Sequence, residues 1–157
     1  MAALRRLCRG WRADSGAEFV EFALAFPLLL LVVLGIFDFG LMFQQYEVIT
    51  NAAREGARIA VLPAYQTALA ANVTARVNQY ITASFLSTGG AVTTSVGTPQ
   101  NVSIGGICMS TITVTVTYPH QFLFVAGIGS YFGQSFGTKT LNASSTMRAE
   151  AAAASCP

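Results

Sequence analysis

The stretch "DSGAEFVEFALAFPLLLLVVLGIFDFG" at residues 14–40 decides the fold, because it sets two glutamates, Glu18 and Glu21, at the mouth of an apolar run otherwise suited to a bilayer. From Phe22 to Phe43 the only charge is Asp38. That run is about 22 residues of helix, which at about 1.5 Å each covers a hydrocarbon core of roughly 30 Å. Arg5, Arg6, Arg9 and Arg12 precede it, and Glu47 comes before any arginine after it. The positive-inside rule therefore puts residues 1–16 in the cytoplasm and everything beyond about residue 45 outside. A secretory signal peptide also starts basic and turns apolar, but its apolar core is roughly 7–15 residues and ends at a small-x-small cleavage site. Here the run continues into "FDFGLMFQQYEV", which has no such site and favours an anchor that stays.

Charge is scarce and unevenly placed. Only 10% of the 157 residues are charged, and residues 59–157 contain only Arg76, Lys139, Arg148 and Glu150. The net charge of +2 is mostly the N-terminal arginine cluster, a topology signal. A nucleic-acid partner is not expected, since that would need a clustered basic face on the folded part. Of three cysteines, Cys8 falls on the reducing side while Cys108 and Cys156 fall outside, where a disulfide persists. Paired, they would close a loop of about 48 residues and contribute roughly 4 kcal/mol in the loop-entropy model; two free thiols are the alternative.

Asp14 or Ser15 can cap a helix that meets no strong stop before Leu62–Pro63, because proline disfavours helical conformation in the residue before it. Pro27, Gly35 and Gly40 predict a bend within the span. Phe37, Phe39, Phe43 and Tyr46 mark the outer interface, and Asp38, about 25 Å along the axis from Glu21, reaches it. Leu69, Val73, Val77, Tyr80, Ile81 and Phe85 recur at helical spacing and predict an amphipathic helix over 65–86, closed by the turn chemistry of "STGG" at 87–90. The period then changes. "TITVTVTY" (111–118) alternates Ile112, Val114, Val116 and Tyr118 with threonines, a half-buried antiparallel strand that Pro119 helps to end. Weaker alternation at 91–96 and 138–147 predicts two more strands. The expected fold is α+β: a basic leader (1–16), a transmembrane and extended N-terminal helix (17–62), and a head domain (63–157) of one amphipathic helix on a short antiparallel sheet. "FLFVAGIGSYFGQSF" (122–136) is too short to span a membrane. It reads either as core beneath a glycine-rich loop or as a patch that meets a neighbouring subunit.

Catalytic machinery is thin, and no enzyme is expected. His120, the sole histidine, has no carboxylate or cysteine near it in sequence to make a triad or metal set. Glu150 is the one acid after residue 62, which excludes paired-carboxylate chemistry within the head. The glycine pairs lack the lysine and strand-to-helix setting of a phosphate loop. Neither cofactor nor metal is implied.

The informative chemistry is at Glu18 and Glu21. An ionised carboxylate at membrane depth costs several kcal/mol unless partnered. Glu18 can snorkel to the headgroups and pair with Arg9 or Arg12; Glu21 is deeper. Cleavage between Gly16 and Ala17 would create a positive α-amino group one helical turn from Glu21, or facing it from a neighbouring helix. "RADSG" followed by "AEFVEF" resembles the class III leader of type IV prepilins and pseudopilins, with glutamate at the fifth mature position. The wider stretch 16–40 with "TNAAREGARIA" at 50–60 resembles the TadE-like family, minor pseudopilins of the tight-adherence (Flp, type IVc) pilus, over about a quarter of the chain. Phe22 stands where the shorter major pilins usually carry tyrosine, which favours the minor-subunit reading.

That resemblance implies processing at Gly16–Ala17 by a prepilin peptidase. It implies further partners in the inner membrane, in other pilins or pseudopilins and in the pilus assembly platform. The head would be periplasmic, with the protein kept in the inner membrane or carried into the extracellular pilus. The family motif Asn51, Ala52, Ala53, Arg54, Glu55, Gly56, Ala57, Arg58 also has a physical reading. Ala53, Gly56, Ala57 and Ala60 make a small-residue face for close helix approach, and Arg54, Glu55 and Arg58 supply charges just beyond the bilayer. That face packs either on another subunit's helix or on this chain's own sheet. From a different class comes a membrane-anchored periplasmic binding or sensor module whose Gly16–Ala17 bond stays intact.

Overall fold

The apolar run is helical without a break. The computed structural model describes residues 4–84, 90–131, 133 and 137–149, the side chains of 4–15, 104, 128 and 131 excepted. Helix α1 covers Leu4–Ala60 and continues through Pro27. A helix start at Asp14 or Ser15 is thus corrected, since α1 is already formed at Leu4. Leucine, arginine and alanine dominate residues 4–13, and strong helix formers carry the helix past a residue that could have capped it. At the far end Leu62 turns extended ahead of Pro63 (φ −78°, ψ 129°), the conformation favoured for a residue before proline. The Gln66 side chain donates to the Ala60 carbonyl at 2.8 Å, satisfying one of the terminal acceptors.

A 3-10 helix over Pro63–Ala68 follows, then α2 over Leu69–Ala83. The amphipathic helix is therefore shorter than the expected 65–86. Val73, Val77 and Ile81 form its buried stripe, with Leu69 and Tyr80 half-buried beside it; Phe85 and residues 87–89 lie outside the described residues. Strands β1 (Thr93–Val96), β2 (Gln100–Ile104), β3 (Ile107–His120) and β4 (Lys139–Arg148) make one antiparallel sheet. β3 is its spine: β4 pairs with it from Thr111 to His120, while β1 and β2 pair in succession with its residues 117–114 and 111–107. Strand β2 has no counterpart in the sequence expectations. Its signal is "IGGI", a two-residue hairpin with Gly105 and Gly106 at φ 60° and 80°, values that L side chains rarely adopt.

The core forms where the second half of α1 meets α2 and the sheet. Ile112, Val114, Val116 and Tyr118 face inward from β3 and are almost fully buried, together with Ile49, Ala52, Ala53, Ala57 and Ala60 of α1. Gly56 sits at the closest approach. A Cβ there would lie 2.8 Å from Val77 Cγ2 and 3.2 Å from Val114 Cγ1, so only glycine lets the three elements meet. The contacts also set direction. β3 passes Gly56 at Val114 and reaches Gln45 at His120, and the chain beyond it bonds to Asp38. β3 thus descends along α1 toward the apolar half, with the Gly105–Gly106 turn at the opposite end.

Candidate functional site on the long helix

Three parts of α1 carry the residues singled out from the sequence. At its start, Gly16, Ala17 and Glu21 are exposed, and Glu21 makes no ion pair with another described residue. Most apolar side chains after them are exposed as well, from Phe19 to Phe43, with Leu34, Leu41 and Met42 half-buried, on the one helix among the described residues long and apolar enough to cross a membrane. Exposed leucine and phenylalanine around a helix, here Leu24, Leu28, Phe37 and Phe43, are consistent with a segment that sits in a membrane.

The second part is residues 51–58. Ala52, Ala53, Gly56 and Ala57 are buried and Asn51 is half-buried, all within this chain's own fold. The small face thus meets α2 and the sheet. Arg54 and Arg58 point outward. Glu55 accepts two hydrogen bonds from Arg58 (3.0 and 2.8 Å) and two from Arg76 of α2 (2.9 and 2.7 Å). The Arg58 hydrogen bond, aided by Arg76, holds the Glu55 carboxyl at about 2, against the cost of partial burial. Arg76 is a partner that sequence reasoning missed, since it lies 21 positions away on another helix. Beside this cluster Arg58, Tyr65, Asn72, Arg76 and Gln79 line an open polar groove of roughly 500 Å³.

The third part is Asp38, the lone charge of the apolar run, which is fully buried. Its carboxyl oxygens accept from the backbone N–H groups of Leu123 (3.1 Å), Phe124 (2.9 Å) and Val125 (2.7 Å). These are the free donors at the start of a short helix, α3 (Val125–Tyr131), and one acid from a different helix satisfies all three. Next to it His120 bonds through Nδ1 to Gln45 Oε1, and its ring packs edge-on against Phe122, which in turn meets Phe39. Burial pushes the His120 pKa down, opposed by the nearby Asp38. No carboxylate stands near His120 in sequence, but in space Asp38, more than 80 positions earlier, lies close enough to act on it. The reading of 122–136 as either core or exposed patch resolves for its first part into a clamp on α1, with Leu123 and Phe124 still facing outward.

Cys108 is disulfide-bonded; Cys156, its expected partner, lies outside the described residues. No group of three or more His, Cys, Asp or Glu residues that could hold a metal occurs among the described residues.

Among the described residues one helix is long and apolar enough to cross a membrane, and it continues into an α+β head, an architecture consistent with single-pass membrane anchoring. Residues 16–58 match the family model described as TadE-like protein, so this part of the chain carries the TadE-like signature. No curated protein and no solved structure matches the chain. The matched segment starts at Gly16 and ends at Arg58, and so contains the apolar run, Asp38 and the buried small-residue face while leaving out α2 and the sheet.

Proposed function

We propose that the protein is a minor pseudopilin-like assembly subunit of a tight-adherence (Flp, type IVc) pilus or a related secretion system. A prepilin peptidase cuts it between Gly16 and Ala17, the leader being cytoplasmic and the head periplasmic. The observation that carries this reading is the TadE-like match beginning at Gly16 and running through the whole apolar helix. It is supported by the exposure of Glu21 four positions after Ala17, one turn along an accessible helix face. The protein acts by assembly and not by catalysis. Apolar helices pack, the new Ala17 amine answers Glu21 of its own or a neighbouring helix, and the head contacts other pilins, pseudopilins and the assembly platform.

Intact mass of the protein from cells with and without a prepilin peptidase tests the reading, with loss of the 16-residue leader expected only in the first. Glu21→Ala should still be inserted and cut but should reduce piliation, because insertion depends on apolarity and assembly on the charge pair. An unchanged mass in both strains would favour the tethered binding or sensor module, for which the groove between Arg58 and Arg76 is the place to look for a ligand.

A further inference from the structure

The segment between β3 and β4 leaves the sheet at His120 and returns at Lys139, two residues that pair directly in the register. Residues 121–138, "QFLFVAGIGSYFGQSFGT", contain five aromatic residues and no charged side chain, and their described stretch 121–131 leaves the sheet at the same edge to which Lys139 returns. That edge is the one nearest the apolar half of α1, as the descent from Gly56 through Gln45 to Asp38 shows. Asp38 lies five positions before Phe43, about 8 Å inside the end of the apolar run. The backbone it holds thus lies within the head-side end of the apolar run, level with the interface aromatics Phe37, Phe39 and Phe43. Val125 accordingly shares an open apolar groove with Leu31, Ile36, Phe39 and Phe43. Leu123 and Phe124 stay 56% and 42% exposed next to it.

Irregular backbone at membrane depth is tolerated only where its polar groups are satisfied by protein. Asp38 supplies that satisfaction, and the three N–H groups in turn remove the cost of an acid in the span. Lys139, the chain's one lysine, is exposed at the point where the excursion ends. A cation belongs there, at the level of lipid phosphates.

We propose that residues 122–131 form a second membrane contact. Leu123, Phe124 and Val125 enter the acyl chains of the leaflet on the head's side, and Asp38 locks them to the spanning helix. The occupant of the groove is lipid, because the exposed apolar surface is continuous with that of the span and shares its depth. The head is then held at two points, which fixes its tilt and its rotation about α1. This inference rests on α1 spanning the membrane.

The test uses the full chain with Trp11→Phe, reconstituted in vesicles of phosphatidylethanolamine, phosphatidylglycerol and brominated phosphatidylcholine, with a single tryptophan placed in turn at Leu30→Trp, Leu123→Trp and Ser144→Trp. Leu30 is in the span, and Ser144 is exposed on β4 opposite Thr115, well above the apolar run. The expected result is strong quenching at position 30, none at 144, and about twofold quenching at 123, greater with bromines near the carbonyl end of the chain, as for side chains about 5–10 Å below the boundary. Quenching at 30 with none at 123 would overturn the second contact and leave the anchor standing. A blue-shifted but unquenched Leu123→Trp would overturn it too, by showing the face covered by a second protein copy. Failure at both 30 and 123 would remove the spanning reading as well.

Discussion

Asp38→Ala is the most informative single change, because one side chain serves three donors. The variant removes acceptors at 3.1, 2.9 and 2.7 Å from Leu123, Phe124 and Val125, and no other bond to these groups is seen among the described residues. Each half-buried donor left without a partner costs about 1 kcal/mol, so the clamp is worth about 3 kcal/mol, or roughly a hundredfold in the local opening equilibrium. Hydrogen exchange followed by mass spectrometry on the detergent-solubilised full chain reads this directly. Peptides covering 123–131 should exchange about a hundredfold faster in Asp38→Ala and about tenfold faster in Asp38→Asn, which keeps one carbonyl oxygen. Peptides from 112–118 should be unchanged, because their protection comes from β1, β4 and the core. Exchange at 123–131 within about twofold of the parent would refute the clamp, and equal acceleration of both regions would show that Asp38 holds the whole fold and not the segment.

Gly56→Leu should lower the denaturant midpoint by the equivalent of about 3 kcal/mol or more, since its side chain must displace the γ-carbons of Val77 and Val114 on two different elements; an unchanged midpoint would mean that α2 is free to move away. Stability should fall in two steps on acidification. His120 has a folded pKa below its usual 6.5, so the stability tied to its neutral form is complete above pH 6.5 and is lost as the pH drops through and below that value; His120→Gln should abolish this step in thermal scans. Glu55, held at about 2 against 4.5 unperturbed, contributes above pH 4.5 and loses its contribution between 4.5 and 2. Water around the exposed Arg58 screens that pair, so the second step, absent in Glu55→Gln, should be only about 1 kcal/mol.

The elements with a strong period were legible from the chain alone. The apolar run, the Val73–Val77–Ile81 stripe and the alternation of Ile112, Val114, Val116 and Tyr118 each encode one face of one element, and all three stand in the structure. Elements with weak or mixed signals were misread at their ends or missed. The 3-10 turn at Pro63–Ala68 hid inside a helical pattern, β2 is too short and polar to alternate, and α3 is a seven-residue apolar stretch whose composition fits a core as well as a loop. The start of α1 was placed too late because a capping residue signals a helix end only where no helix formers precede it.

Local order therefore set out the architecture of this protein: a helix long and apolar enough to cross a membrane, with a basic N-terminal flank, carrying an α+β head, with a TadE-like signature written in consecutive residues. What it could not settle is every relation between distant positions. The small face of residues 52–57 could have met any helix until Val73, Val77 and Val114 were seen against it. Glu55 needed Arg76 from the next helix, and Asp38 and His120 became neighbours only when β3 ran down α1. Periodicity is a property of nearest neighbours along the chain, whereas the partner of a buried charge is chosen by which strands and helices share a core.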